Sequence, residues 1–230
     1  MPNLNIKSKD FVWTFTAFGA VALSGLALNQ VIANQLGITA LGRYNMLLAI
    51  VIIGGQIGAM GIHSSVLYHT PKARSEGKNT SEILNAGIWS TTSTSLITTL
   101  LIYSGGEIVL RWSDNSYYLD GLRAVAVGLF LYPINKSLLA HINGLQRIRA
   151  FSIFFSGRFV LLAGLATIAS YWSSNDRILP WTISGAEIAI FLGLMLANKS
   201  ELSGLSQWRK SKKMVTEHLR YGRRGFLGST

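Results

Sequence analysis

The stretch PINKSLLAHINGLQRIRAFSIFFSGR, residues 133–158, decides how the whole chain is read. It sets a proline, Lys136 and Arg158 inside two apolar runs and joins those runs through a basic turn carrying Arg147 and Arg149. The runs extend outward, from 122 to 143 and from 151 to 172, far enough to cross ~30 Å of hydrocarbon at ~1.5 Å per residue. The pair reads as an antiparallel hairpin of membrane-spanning helices. Lys136 and Arg158 each lie about seven residues inside their span, which places them ~10 Å below its end. A charge at that depth is costly and normally faces a partner or a wet cavity.

Composition extends this reading to the rest of the chain. Apolar residues make up 49% and charged residues 13% of the 230, against about 25% charged in a soluble domain. The apolar residues come in long blocks rather than the ~10-residue alternating segments of a barrel. We therefore expect an all-α integral membrane protein whose six spans, 11–36, 44–67, 83–103, 122–143, 151–172 and 181–197, form one lobe. Residues 1–10 precede that lobe, a basic connector occupies 198–224, and 225–230 open a further, seventh span.

The formal charge of +11 is distributed by side. Fifteen of the 21 Lys and Arg fall on the N-terminal side of the membrane: Lys7 and Lys9, three in PKARSEGKNTSE (71–82), Arg147 and Arg149, and eight from Lys199 to Arg224. Four, Arg43, Arg111, Arg123 and Arg177, fall on the other side. Cations are retained on the cytoplasmic side, so both ends are expected there. These basic segments line a membrane face and lack interleaved stacking aromatics, which argues against a nucleic-acid role.

No chemistry-bearing motif is present. There is no cysteine, and the four histidines, His63, His69, His141 and His218, lack zinc-ligand spacing. Neither a phosphate-binding glycine loop nor a hydrolase or zinc-protease signature occurs. No catalytic residue, metal or cofactor is expected.

Within the spans, Gly54, Gly58 and Gly61 suit close helix packing, and His69-Thr-Pro71 is expected to stop the second helix. Gln56 and His63 are polar exceptions in that span. STTSTS (90–95) supplies hydroxyls for bonds to backbone or to neighbouring helices. Gln30 and Asn34 share a helix face near the outer end of the first span and either line a cavity mouth or bond between helices. Lys136 and Arg158, with Asn135 beside them, either point into a hydrated cavity that takes an anion or, for the lysine, snorkel toward the interface. Glu187, expected within a turn or two of the outer surface, is a coupling residue or a charge partner. Pro133 is a bending point or a static kink.

Three segments carry a family resemblance. LGITALGRYNML (36–47) resembles the turn between the first two helices of polysaccharide flippases, INGLQRIRAFS (142–152) their fourth-to-fifth helix turn, and HLRYGRRGFLGS (218–229) the approach to their seventh helix. These are exporters of O-antigen and capsule repeat units in the multidrug/oligosaccharidyl-lipid/polysaccharide superfamily. The similarity runs from about residue 10 to residue 230, and it rests on the order and spacing of these segments. The resemblance implies two facing six-helix lobes that move an undecaprenyl-pyrophosphate-linked oligosaccharide across the bacterial cytoplasmic membrane. Its partners would be that lipid-linked substrate, membrane lipids, a second lobe and the polysaccharide polymerase machinery. This chain would be one lobe with the start of the next, a piece of a longer protein or one that pairs with a second lobe. A cation-drug exporter of the same superfamily and a non-transporting membrane scaffold are the alternatives.

Overall fold

The computed structural model describes residues 8–112, 115–204 and 214–222, and among these every regular element is helical. In order these are α1 (Ser8–Leu36), α2 (Ile38–Ala59), α3 (Ile62–Ser75), α4 (Ser81–Trp112), α5 (Ser116–Gly144), α6 (Ile148–Trp172) and α7 (Leu179–Ala197). Short 3-10 turns lie at Asp176–Ile178 and Glu201–Gly204, and a further helix, α8, covers 214–222. Six of the helices, all but α3 and α8, are long and apolar enough to cross a membrane. The expected multi-pass helical architecture is present. The segment read as the opening of a seventh span, 225–230, lies outside the described residues, as do most of the connector's cations.

The bundle is built around α5. It packs against α2, α3, α4 and α7, whereas α1 lies mainly on α6. Lipid tails are as apolar as leucine, so close packing rather than water exclusion must hold such helices together. Glycines supply it on α2. A methyl group at Gly58 would sit 3.1 Å from the Pro133 ring and 3.4 Å from the Ser95 Cα, and one at Gly55 would overlap the Tyr132 ring.

The second span differs from the sequence reading in both its ends. It starts at Ile38 and breaks after Ala59, where Met60 (φ 41°) and Gly61 (φ 70°) take left-handed conformations. The Met60 N–H closes the turn on the carbonyls of Gln56 and Ile57, and Gly61 accepts its φ without a side-chain penalty. Pro71 does not stop the helix, contrary to expectation, but lies inside α3. A proline removes one donor, and that single loss is absorbed here at the last turn of a helix packed on α5. Thr70 beside it returns its hydroxyl to the Val66 carbonyl at 2.7 Å.

Pro133 likewise leaves α5 continuous. It is buried, and Ser95 of α4 donates its hydroxyl to the Phe130 carbonyl at 2.6 Å. Neighbouring hydroxyls of this kind support the backbone around a proline in a span. The Ser/Thr-rich middle of α4 thus serves helix contacts; Thr94 also donates to the Gly58 carbonyl at 2.6 Å.

The two rims are held differently. At the rim where α1 ends, each arginine meets an acid: Arg43–Asp176 at 3.2 Å, Arg177–Asp120 at 2.7 Å, and Arg111 and Arg123 on Glu107 at 2.9 and 3.0 Å. At the opposite rim, arginines cap helix ends. Arg74 donates to the Leu145 carbonyl and Arg147 to that of Ala197, where the helix dipole favours a cation. On this rim α8 docks through His218, which is fully buried, with Nε2 3.1 Å from the Ile83 carbonyl and Nδ1 2.8 Å from the Ser65 hydroxyl. A carbonyl only accepts, so Nε2 carries the proton and Nδ1 accepts from Ser65.

Two expectations follow from these contacts. Gly55→Ala should lower the thermal midpoint of the detergent-purified protein, at a cost of ~1–3 kcal/mol for forcing Tyr132 aside, while Gly19→Ala, which meets nothing within 4 Å, should leave it unchanged. Burial pushes the His218 pKa from 6.5 down to about 4, so its contribution is present above the unfolded value and is lost as pH falls between the two. Proteolysis of α8 should therefore accelerate as pH drops from 7 toward about 4, and His218→Gln should abolish that pH dependence.

Candidate functional site

The site is assembled from one turn of α5 and single residues of three other helices. Tyr132 and Lys136, four apart on α5, share a face, and Asn135 points from the same turn toward α7. Glu187, in the middle of α7, is only 2% exposed. One of its carboxylate oxygens lies 3.0 Å from Arg158 Nε on α6, and the other accepts from Asn135 Nδ2 at 2.8 Å. That same amide nitrogen also donates to the Glu187 backbone carbonyl at 3.0 Å.

Burying a carboxylate at membrane depth costs several kcal/mol unless a cation and hydrogen bonds compensate it. Arg158 and Asn135 do so together. The Arg158 guanidinium also lies 4.5 Å from the Tyr132 ring centroid, a combination of ion pairing and ring stacking that suits a planar guanidinium better than an ammonium. Lys136 is bound differently. Its ammonium is 2.7 Å from Gln56 Oε1 on α2 and 5.9 Å from the Tyr132 centroid. Among the described residues it makes no ion pair with a carboxylate. The cluster therefore holds two cations and one anion.

A cavity of about 210 Å³ opens beside the ion pair; most of its wall is apolar, with Leu28, Leu48, Ile52 and Phe159 prominent, and Ser24 and Asn29 of α1, Asn45 of α2, Tyr132, Arg158 and Glu187 supply its polar groups. Two buried polar atoms of the cluster have no hydrogen-bond partner: Asn135 Oδ1, and Arg158 Nε, whose approach to Glu187 is an ion-pair contact without hydrogen-bond geometry.

The structure redistributes the residues singled out from sequence. Arg158 does line the cavity. Lys136 adjoins Tyr132 but is not part of the lining, and Asn135 is fully buried against Glu187 rather than exposed to a ligand. Gln30 and Asn34 are exposed on α1 and lie outside the cavity, where Asn29 stands instead. Glu187 sits two residues deeper in its helix than the expected span start at residue 181 implies, because α7 begins at Leu179. It lies eight residues into α7, ~12 Å along the axis. Arg158 is ten residues into α6, ~15 Å, because that helix already begins at Ile148. Tyr132, Gln56 and Asn45 were not assigned to the site. For Tyr132 the signal was its position one turn before Lys136.

Comparison of the chain with protein families, with curated proteins and with solved structures gives no match.

Removing the Arg158 side chain would strand the carboxylate. Arg158→Ala should destabilise the bundle by ~3–5 kcal/mol, and adding Glu187→Gln should recover most of the loss. Unfolding in mixed micelles of wild type, both single variants and the double variant measures that coupling; additive losses would show that the two groups do not depend on each other.

Proposed function

We propose that this chain is one transmembrane lobe of a transporter that carries an anionic lipid-linked oligosaccharide across the bacterial cytoplasmic membrane, with both chain ends in the cytoplasm. The observation that carries the reading is Lys136: a half-buried ammonium eight residues inside α5 whose partner is the neutral amide of Gln56. An ammonium without a counterion at that depth is costly unless it meets an anion during the protein's work. A diphosphate supplies that anion. The sugar part would be held by neutral polar groups, of which Asn29 and Asn45 already border the cavity.

The orientation follows from the charges. Arginines at the rim where α1 ends are matched by acids, so the excess of cations lies on the rim where the chain begins, and retention of cations on the cytoplasmic side places that rim inside. The segments that resemble polysaccharide flippases sit at corresponding helix turns, with LGITALGRYNML spanning the α1–α2 turn and INGLQRIRAFS the α5–α6 turn. A second lobe facing this one and the polysaccharide polymerase machinery are the proposed partners. Glu187 fits the role of charge partner to Arg158 better than that of a cation site. Its two oxygens are engaged by Arg158 and Asn135, which disfavours a cation-drug exporter.

In cells whose surface polysaccharide depends on this protein, Lys136→Ala in the complete chain should reduce polysaccharide display at least ~10-fold, the loss of one charge-assisted contact. Lys136→Arg should largely preserve it, and both variants should reach the membrane in normal amounts. Full display with Lys136→Ala at normal abundance would contradict the transport role of this residue.

A further inference from the structure

A second charged recess lies away from the mid-membrane cluster and shares no residue with it. It is a groove of about 730 Å³ between α3 and α8, lined by Tyr68, His69, Lys72, Thr216, Glu217, Arg220 and Tyr221. Its walls follow helical spacing: Tyr68 and Lys72 are four apart on α3, and Glu217, Arg220 and Tyr221 fall on one face of α8. The Tyr68 and Tyr221 rings stack at 5.8 Å, and Glu217 is 3.7 Å from His69 Nε2. Lys72 and Arg220 are both exposed in the groove, and among the described residues neither makes an ion pair, so its two cations outnumber the one carboxylate.

α3 continues directly from the last turn of the spanning helix α2, so the groove opens at one membrane surface, at the level where tyrosines and cations meet lipid headgroups. The volume is within the usual range for a bound small molecule. Arginine binds a phosphate through its planar fork and lysine as a point charge, and exposed tyrosine rings suit the glycerol and upper acyl region beside it. Docking of α8 makes the site, because Arg220 and Tyr221 come from α8 and Tyr68 and Lys72 from α3.

We propose that the α3–α8 groove is a phosphate-binding site that takes the headgroup of an anionic membrane lipid from the adjoining leaflet. Such a lipid would tie α8 to the bundle through both of its walls.

Native mass spectrometry of the full chain, released from detergent with phosphatidylglycerol, with diacylglycerol or with inorganic pyrophosphate, tests this. The wild type should retain phosphatidylglycerol and lose diacylglycerol, which lacks the phosphate. Lys72→Gln combined with Arg220→Gln should reduce phosphatidylglycerol retention at least ~10-fold, as expected when two charge-assisted contacts are removed. Lys72→Arg with Arg220→Lys should keep it. Should the double Gln variant fail to fold, each single variant should still show a several-fold loss. Equal retention by wild type and the Gln variants, or equal retention of diacylglycerol, would overturn the site. Pyrophosphate held as tightly as the lipid would overturn the assignment to a lipid headgroup.

Discussion

The contact between Arg158 and Glu187 constrains the interior of this bundle more than any other. A carboxylate in the middle of a span is tolerated only if a cation and hydrogen bonds replace its lost hydration. Arg158 from α6 and Asn135 from α5 converge on it, and this ties three successive spans to one point. Tyr132 extends the arrangement toward α2 by placing its ring beneath both cations and against Gly55. Only glycine leaves room for the ring there, so packing on α2 and charge placement on α5 are one constraint.

That constraint also divides the two cations, which the sequence presented as equivalents. Arg158 is compensated within the lobe. Lys136 is not, and its amide partner on α2 lies at an exposed position. The site therefore has a structural part, which holds α5, α6 and α7 together, and a part with charge to offer. The same division appears at larger scale. One rim pairs its arginines with acids, while the other uses arginines as helix caps and leaves Lys72 and Arg220 in an open groove.

Much of the fold was legible in the sequence because a span must be apolar for about 20 residues, a requirement that composition alone reveals. The helix ends were less legible. α4 runs to Trp112, beyond the expected end near residue 103, because ion pairs of Glu107 with Arg111 and Arg123 carry the helix past the apolar run. The break at Met60 carried only half a signal: Gly61 was visible, but a left-handed methionine has no sequence mark, and neither has the close approach of Gly222 of α8, where a Cβ would overlap the Met60 carbonyl. Pro71 misled because a proline deletes only one bond to the preceding turn, a loss that the packing of α3 on α5 offsets. At the site, the two cations and Glu187 were each recognised as unusual. A charge partner was one of the two roles open to Glu187, but which cation it meets was not legible, because residues 158 and 187 come together only once the packing of α6 on α7 is known.

A transport role requires Lys136 to face water and an anion rather than lipid. These 230 residues contain no cysteine, so Lys136→Cys, with any cysteine elsewhere in the complete protein replaced by serine, gives a single reactive thiol whose labelling reports on that one position. In membranes holding the complete protein, a membrane-impermeant sulfonate-bearing thiol reagent should modify Cys at position 136, and a diphosphate-linked lipid oligosaccharide should protect it. A thiol that stays unreactive in the folded protein but labels after unfolding would place the position among acyl chains and contradict the account.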